Sequence, residues 1–332
     1  MSFRWRRAPR LLPVLVRLIV GRVPVVVTAH EIEPAMVSLL TAANAVIATT
    51  VEHARRIREA DSAAAQRLSV IAIGPNVEPA ADGASSLTAR ARHRWGIPTG
   101  APLVVFFGFL HPVQGREYLI RAMARVVEHC PEARLVIAGG WRSLALPGAE
   151  GDGYRDRLQA LIGECCLDRR VHITGYLSEH DVSALLFAAD VVALPFTYGL
   201  SFKSGSLLAA LAHGKPVVGT LPGVADPRLI AGQHMLAVRA RDADALAAAI
   251  RSLLDDEQLP QRIARARGMR AARPFTWGAI ADQHLDLYSR HATISHRVQQ
   301  LRSRWTAFGS AGAGSGAAPS RTGYARGTSR RS

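Results

Sequence analysis

Residues 195–219 read PFTYGLSFKSGSLLAALAHGKPVVG, and this stretch concentrates the residue types that hold an anion. A small-residue loop places Ser201, Ser204, Gly205 and Ser206 around Lys203, ahead of a helix-period segment that opens near Leu207 and stops at Gly214. The apolar runs VVALPF before it and PVVGT after it read as strands. In such a strand, loop, helix, strand passage the helix N-terminus points at the carboxyl edge of a parallel sheet, where open α/β folds bind ligands. Unpaired backbone N–H groups, the positive end of the helix dipole and the Lys203 ammonium meet there, and their matching guest is a phosphate. The same residues also describe an ordinary helix start, with Ser204 or Ser206 as N-cap and Lys203 solvated. The loop alone leaves both readings open.

Three histidines bear on the same edge. The run VPVVVTAH delivers His30, and Glu31 behind it, to a strand end, where an imidazole is a ready hydrogen-bond partner and proton carrier. The plain alternative is that His30 satisfies a nearby backbone group. His111, beside Pro112, is within reach of a phosphate, whereas His213 precedes Gly214 and is placed to cap helix carbonyls. His53, His129, His180 and His284 read as helix-surface residues. His30, Glu31 and Glu33 are close neighbours on a chain leaving a strand, and no H-E-x-x-H or paired-Asp pattern occurs. No metal or other cofactor is expected.

The elements that must position these residues form two α/β series. The first, from residue 23 to Asn76, holds only a few strand and helix units, fewer than a full Rossmann-like domain needs. A linker with a short helix follows at 81–98. The second series runs APLVVFFG, RLVIAGG, RVHITG, DVVALPF, KPVVGT and MLAVRA, with helix-period segments between the strands. Right-handed crossovers bring the loops after its strands to one edge, so those at Gly108 to Gly115, Gly139 to Arg142, Gly175 to Leu177 and Thr197 to Ser206 converge. The fold class is α/β with two doubly wound parallel sheets, the N-terminal one incomplete. The expected boundaries are 1–80, 81–98, 99–275, a closing helix at 276–293 that packs back on the first domain, and a basic tail at 294–332 too poor in apolar residues to fold.

The 332-residue chain carries a net charge of +15. Lys203 and Lys215 are its only lysines, so arginine supplies nearly all of the positive charge. No nucleic-acid recognition module accompanies the charge, and no specific nucleic acid is expected as a partner. An anionic membrane surface remains. The segment 8–20 suits it, with Arg10 and Arg17 on one helical face and Leu11, Leu15 and Ile19 on the other. This run is too short and too charged to span a bilayer. Cys130, Cys165 and Cys166 match no disulfide framework or zinc spacing. The expected place is the cytoplasm, with peripheral association at the inner face of the membrane.

The converging loops, taken together, resemble retaining nucleotide-sugar glycosyltransferases of GT-B architecture, in the group 1 or family 4 type that includes mannosyl- and glucosyltransferases of cell-envelope polysaccharide synthesis. FFGFLHPVQGREYLIRA is similar to the pattern vGRLxPxKGxxxLixA, and LLAALAHGKPVVGT to LxEAMAxGxPVVxT. RLVIAGG, VHITGYLSEHDVSALLFAADVVALPF and FTWGAIADQHLDLY complete the order, from about Val23 to His291. The resemblance implies two domains across a cleft, the second binding a nucleoside diphosphate sugar and the first an acceptor. It implies donor contacts at Gly108, Phe109, His111, Gln114, Arg116, Tyr176, Ser204, Gly205, Ser206 and Leu207, with His30 near the sugar and Lys203 as the catalytic cation.

This sequence departs from the family pattern at the clamp. The Arg and Lys that hold the donor diphosphate there, against charge developing on the leaving group, are replaced by Phe109 and Gln114. Two family glutamates align with Ser201 and Ala209. Arg116 and Lys203 are the nearby cations that stand in. The implied activity is hexosyl transfer from a nucleoside diphosphate sugar to a lipid, polysaccharide or small-molecule acceptor, with retention. The alternative is a catalytically degenerate nucleotide-binding or scaffold protein of the same fold.

Overall fold

The structure, a computed structural model, describes residues 24–30, 40–41, 43–109, 111–140, 149–223, 226–256, 258–263 and 273–291. The basic helix expected at 8–20, Glu31, Glu33 and the tail at 294–332 lie outside them. The chain falls into two compact units, residues 1–284, which hold both sheets, and residues 285–332.

The first sheet has three parallel strands in the order β1 (Val26–Ala29), β2 (Ala45–Ala48) and β3 (Leu68–Val70). β2 is AVIA and all four residues are buried, as a strand covered on both faces requires. Helices α1 (Val51–Ala60) and α2 (Ser62–Ala65) link β2 to β3. Thr50 starts α1 by accepting from His53 N, and Asp61 starts α2 by accepting from Ala63 N and Ala64 N. Ala48, Ala54, Ile57 and Ala64 close a small core.

The short helix expected in 81–98 is α3 (Ala84–Arg94), and its Leu87 and Ala91 are buried in the larger core. That core belongs to six strands, β4 (Leu103–Phe107), β5 (Arg134–Ala138), β6 (Val171–Gly175), β7 (Val191–Leu194), β8 (Val217–Thr220) and β9 (Leu236–Val238). All pair in parallel, in the order β6-β5-β4-β7-β8-β9. Strand order reverses between β4 and β7, which is where doubly wound sheets open a crevice. The strands read LVVFF, RLVIA and VVAL without polar alternation because helices cover both faces.

Those helices are α4 (Arg116–His129), α5 (Ala149–Glu164), α6 (Glu179–Ala188), α7 (Gly205–Ala212) and α8 (Ala243–Asp255), followed by α9 (Gln258–Ile263) and α10 (Trp277–His291). α3 is fastened to α6 by Thr88 Oγ1 donating to Phe187 O at 3.1 Å and by the Arg94 to Asp181 ion pair at 2.7 Å. Trp277 returns to the end of the first sheet, its indole Nε1 donating to Pro75 O at 3.1 Å.

Candidate functional site

A cavity of about 690 Å³ opens at the β4/β7 switch point. Gly108, Phe109 and Gln114 line it after β4, Gly139 and Gly140 after β5, and Tyr176, Leu177 and Glu179 after β6. The segment between β7 and α7 contributes Phe196, Tyr198, Ser201, Lys203, Ser204, Gly205 and Ser206, and Asn76 and Val77 approach from the chain leaving β3. The loops converge as the right-handed crossovers require.

The loop before α7 is folded by its own serines. Ser204 N donates to Ser201 O at 2.8 Å, Ser201 N to Ser204 Oγ at 3.3 Å, and Lys203 N to Ser201 Oγ at 3.2 Å. Ser204 holds the N-cap position of α7 yet makes no capping hydrogen bond to it. The positive end of the helix dipole therefore faces the cavity without the side chain that usually answers it. Gly205 lets Asn76 come close, since a Cβ there would lie 2.0 Å from Asn76 Oδ1. Lys203 reaches across the site, its Nζ donating to the main-chain carbonyl of His30 at 2.6 Å.

The loop after β4 is shaped from behind. Gly115 sits at φ 70° as the N-cap of α4, and a Cβ on it would meet Pro195 O at 2.1 Å. Arg116 follows and is fully buried. Its guanidinium folds back over the Phe106 ring at 4.4 Å and donates to Gly108 O at 2.8 Å and to Phe109 O. Burial lowers its pKa to about 10, against the opposing pull of Tyr154 and Glu117. Tyr154 is buried on α5, and its phenol is pushed up by desolvation and then by Glu117. Gln114 turns its Oε1, a buried acceptor with no protein partner, beside Gly108.

Of the residues expected at the site, the cavity brings together Gly108, Phe109, Gln114, Tyr176, Lys203, Ser204, Gly205 and Ser206. His111 instead caps a 3-10 turn at Pro112–Gln114, its Nδ1 accepting from Val113 N at 3.2 Å. Arg116 lies behind the wall and Leu207 is buried in α7. His30 is exposed at the end of β1 and meets the site through its carbonyl. Sequence reasoning missed Asn76, Glu179 and Tyr198. Each follows a strand or opens a helix, a position that is informative only once the strand order is known. His213 is the capping residue expected, with Nδ1 on Ala209 O at 2.7 Å and Nε2 on Ser183 Oγ at 2.8 Å. Among the described residues no group of three or more His, Cys, Asp or Glu is arranged to hold a metal ion.

The family model for glycosyl transferases group 1 matches residues 88–267. The D-inositol 3-phosphate glycosyltransferase of Corynebacterium efficiens is 31% identical over 229 residues, 68% of this chain and 52% of that protein. Its counterpart in Corynebacterium aurimucosum is 30% identical over 259 residues, 77% of this chain and 59% of that protein. This chain thus spans little more than half the length of these relatives. Among solved structures, sucrose-phosphate synthase from Thermosynechococcus elongatus aligns with a TM-score of 0.61 at 26% identity, over 79% of this chain and 62% of that one. Anabaena Alr3699/HepE in complex with UDP-glucose shares the fold, with a TM-score of 0.68 at 23% identity over 85% of this chain and 76% of that one. By its family match and its relatives, the chain belongs to the glycosyl transferases group 1 family.

Proposed function

We propose that this chain transfers a hexose from a nucleoside diphosphate sugar to an acceptor hydroxyl, with retention at the anomeric carbon and without a metal. The observation that carries this reading is the uncapped first turn of α7 beside Lys203, inside the switch-point cavity. The diphosphate lies on that helix end, where N–H groups and dipole favour an anion. As the bond from the anomeric carbon to the diphosphate oxygen breaks, negative charge grows on the leaving phosphate and Lys203 stabilises it. The acceptor oxygen bonds to the anomeric carbon and its proton passes to the leaving phosphate. His30 serves the sugar from the side of the first sheet.

The HepE structure holds UDP-glucose, which makes it the first donor to test. The experiment is a binding and turnover screen of nucleotide sugars with the full chain. Saturable binding of UDP or another nucleoside diphosphate supports the reading, and no binding by any of them rejects it. Phe109 and Gln114, where the resemblance places cations, favour a second reading: a nucleotide-binding protein of the same fold with no transfer. Binding without turnover selects it. The net charge of +15 supports a site of action on an anionic membrane surface at the cytoplasmic face. No helix among the described residues is long and apolar enough to cross a membrane.

A further inference from the structure

Asn76 stands on the chain that leaves β3 of the first sheet, yet it lines the cavity of the second. Its neighbours hold it there. Pro75 and Val77 on either side are buried, and the indole of Trp277 covers Gly74, where a Cβ would meet its Cε2 at 2.6 Å. The same indole donates from Nε1 to Pro75 O at 3.1 Å. Farther along, Ala80 N donates to Ser183 Oγ of α6 at 2.9 Å. The segment is pinned on both sides of Asn76.

The Asn76 carboxamide reaches the first residue of α7. A Cβ on Gly205 would lie 2.0 Å from its Oδ1 and 2.5 Å from its Nδ2, so the amide fills the space that a side chain there would take, with its oxygen the nearer atom. A carbonyl dipole turned that way answers the positive end of the helix. The residue is exposed on the cavity side, and its amide N–H groups are donors available to a ligand. An anion on the first turn of α7 therefore meets donors from both series, the backbone N–H groups and Lys203 from the second and a carboxamide from the first.

We infer that Asn76 is a further contact for the diphosphate, its Nδ2 donating to a phosphate oxygen, and that Trp277 is the residue that positions it. This rests on the donor reading above for the place of the diphosphate.

The test is calorimetric binding of UDP and of pyrophosphate to the full chain, with a thermal melt of each variant. Asn76→Ala should weaken both ligands by about tenfold, the scale of one hydrogen bond to a charged group. Asn76→Asp should abolish binding, since a carboxylate repels phosphate, while it holds or raises the melting temperature, because a negative charge suits a helix N-terminus. A residue with a merely structural role would not lose affinity at unchanged or higher stability. Trp277→Phe keeps a ring and removes the N–H. It should weaken UDP about threefold in the natural protein and add nothing in the Asn76→Ala background, as residues that act through one another do. UDP affinity unchanged by both Asn76 variants would overturn the inference and keep the donor reading. Equal effects of Trp277→Phe in the two backgrounds would overturn the positioning role. Pyrophosphate binding that depends on Asn76, in a protein that binds no UDP, would keep Asn76 as an anion contact and reject the donor reading. Binding of neither ligand would reject both.

Discussion

The ammonium of Lys203, on the loop before α7, donates to the main-chain carbonyl of His30 at the end of β1, 173 residues away in sequence. One hydrogen bond thus joins the loop before α7, in the second sheet's series, to the strand end of the first. In the proposed reading a phosphate at α7 shares this cation with the His30 carbonyl, which would couple donor binding to the setting of the β1 end through one side chain.

Lys203→Ala should weaken nucleoside diphosphate binding by about 1.5–3 kcal/mol, the worth of a charged hydrogen bond. Lys215→Ala is the matching change of charge elsewhere. Lys215 Nζ donates to Phe187 O at 2.8 Å and to Ala189 O at 2.9 Å, closing the C-terminal end of α6. With these bonds its loss should cost about 1–3 kcal/mol of stability while leaving nucleotide affinity unchanged. Titration calorimetry and thermal melts of the two variants separate the effects, and equal losses of nucleotide affinity would remove the phosphate from the α7 loop.

Two glycines should respond differently to alanine. At Gly205 the new methyl group meets the end of the Asn76 side chain, which can swing away. Stability should fall by no more than about 1.5 kcal/mol, and adding Asn76→Ala should restore it. At Gly115 the methyl group meets the Pro195 carbonyl in a backbone at φ 70°. That change should cost about 3 kcal/mol or more, from left-handed strain and a clash that no rotamer relieves. Urea unfolding of the three variants checks the order.

Arg116→Met removes the donor that holds the Gly108 and Phe109 carbonyls behind the cavity wall. We expect a loss of about 2–4 kcal/mol of stability, from two charge-assisted bonds and a buried carbonyl left without its partner. Arg116→Lys keeps the charge but not the planar fork, and should recover part of that stability. If both variants unfold at the temperature of the unmodified protein, the guanidinium does not set the loop.

His213 predicts a pH dependence. Burial, the largest influence, holds its imidazole down at about 4 from an ordinary 6.5. The folded state therefore keeps it neutral while the unfolded chain takes up a proton between those values. The stabilisation is complete above about pH 6.5 and is lost as pH falls toward 4, at about 1.4 kcal/mol per pH unit. Melting curves over that window should be steeper for the natural protein than for His213→Gln, whose amide does not titrate. Parallel curves would assign the acid sensitivity to other groups.

The sequence by itself determined the parallel α/β architecture, because unbroken apolar runs such as LVVFF and VVAL, alternating with helix-period segments, are the pattern of strands covered on both faces. It also determined that a serine and glycine loop with a lysine precedes α7, and that His213 closes that helix, since these contacts run between residues close in the chain. Tertiary structure alone decided what the distant partners are. Asn76 over Gly205, Lys203 on His30 and Trp277 on Pro75 join segments that meet only when the two sheets are in place. Arg116 makes the point at short range. It reads as a cation offered to a ligand, yet as the first residue of α4 it is turned under the loop. There the Phe106 face and two carbonyls solvate it in place of water. Which way such a side chain turns depends on packing around it, and no spacing in the sequence encodes that direction.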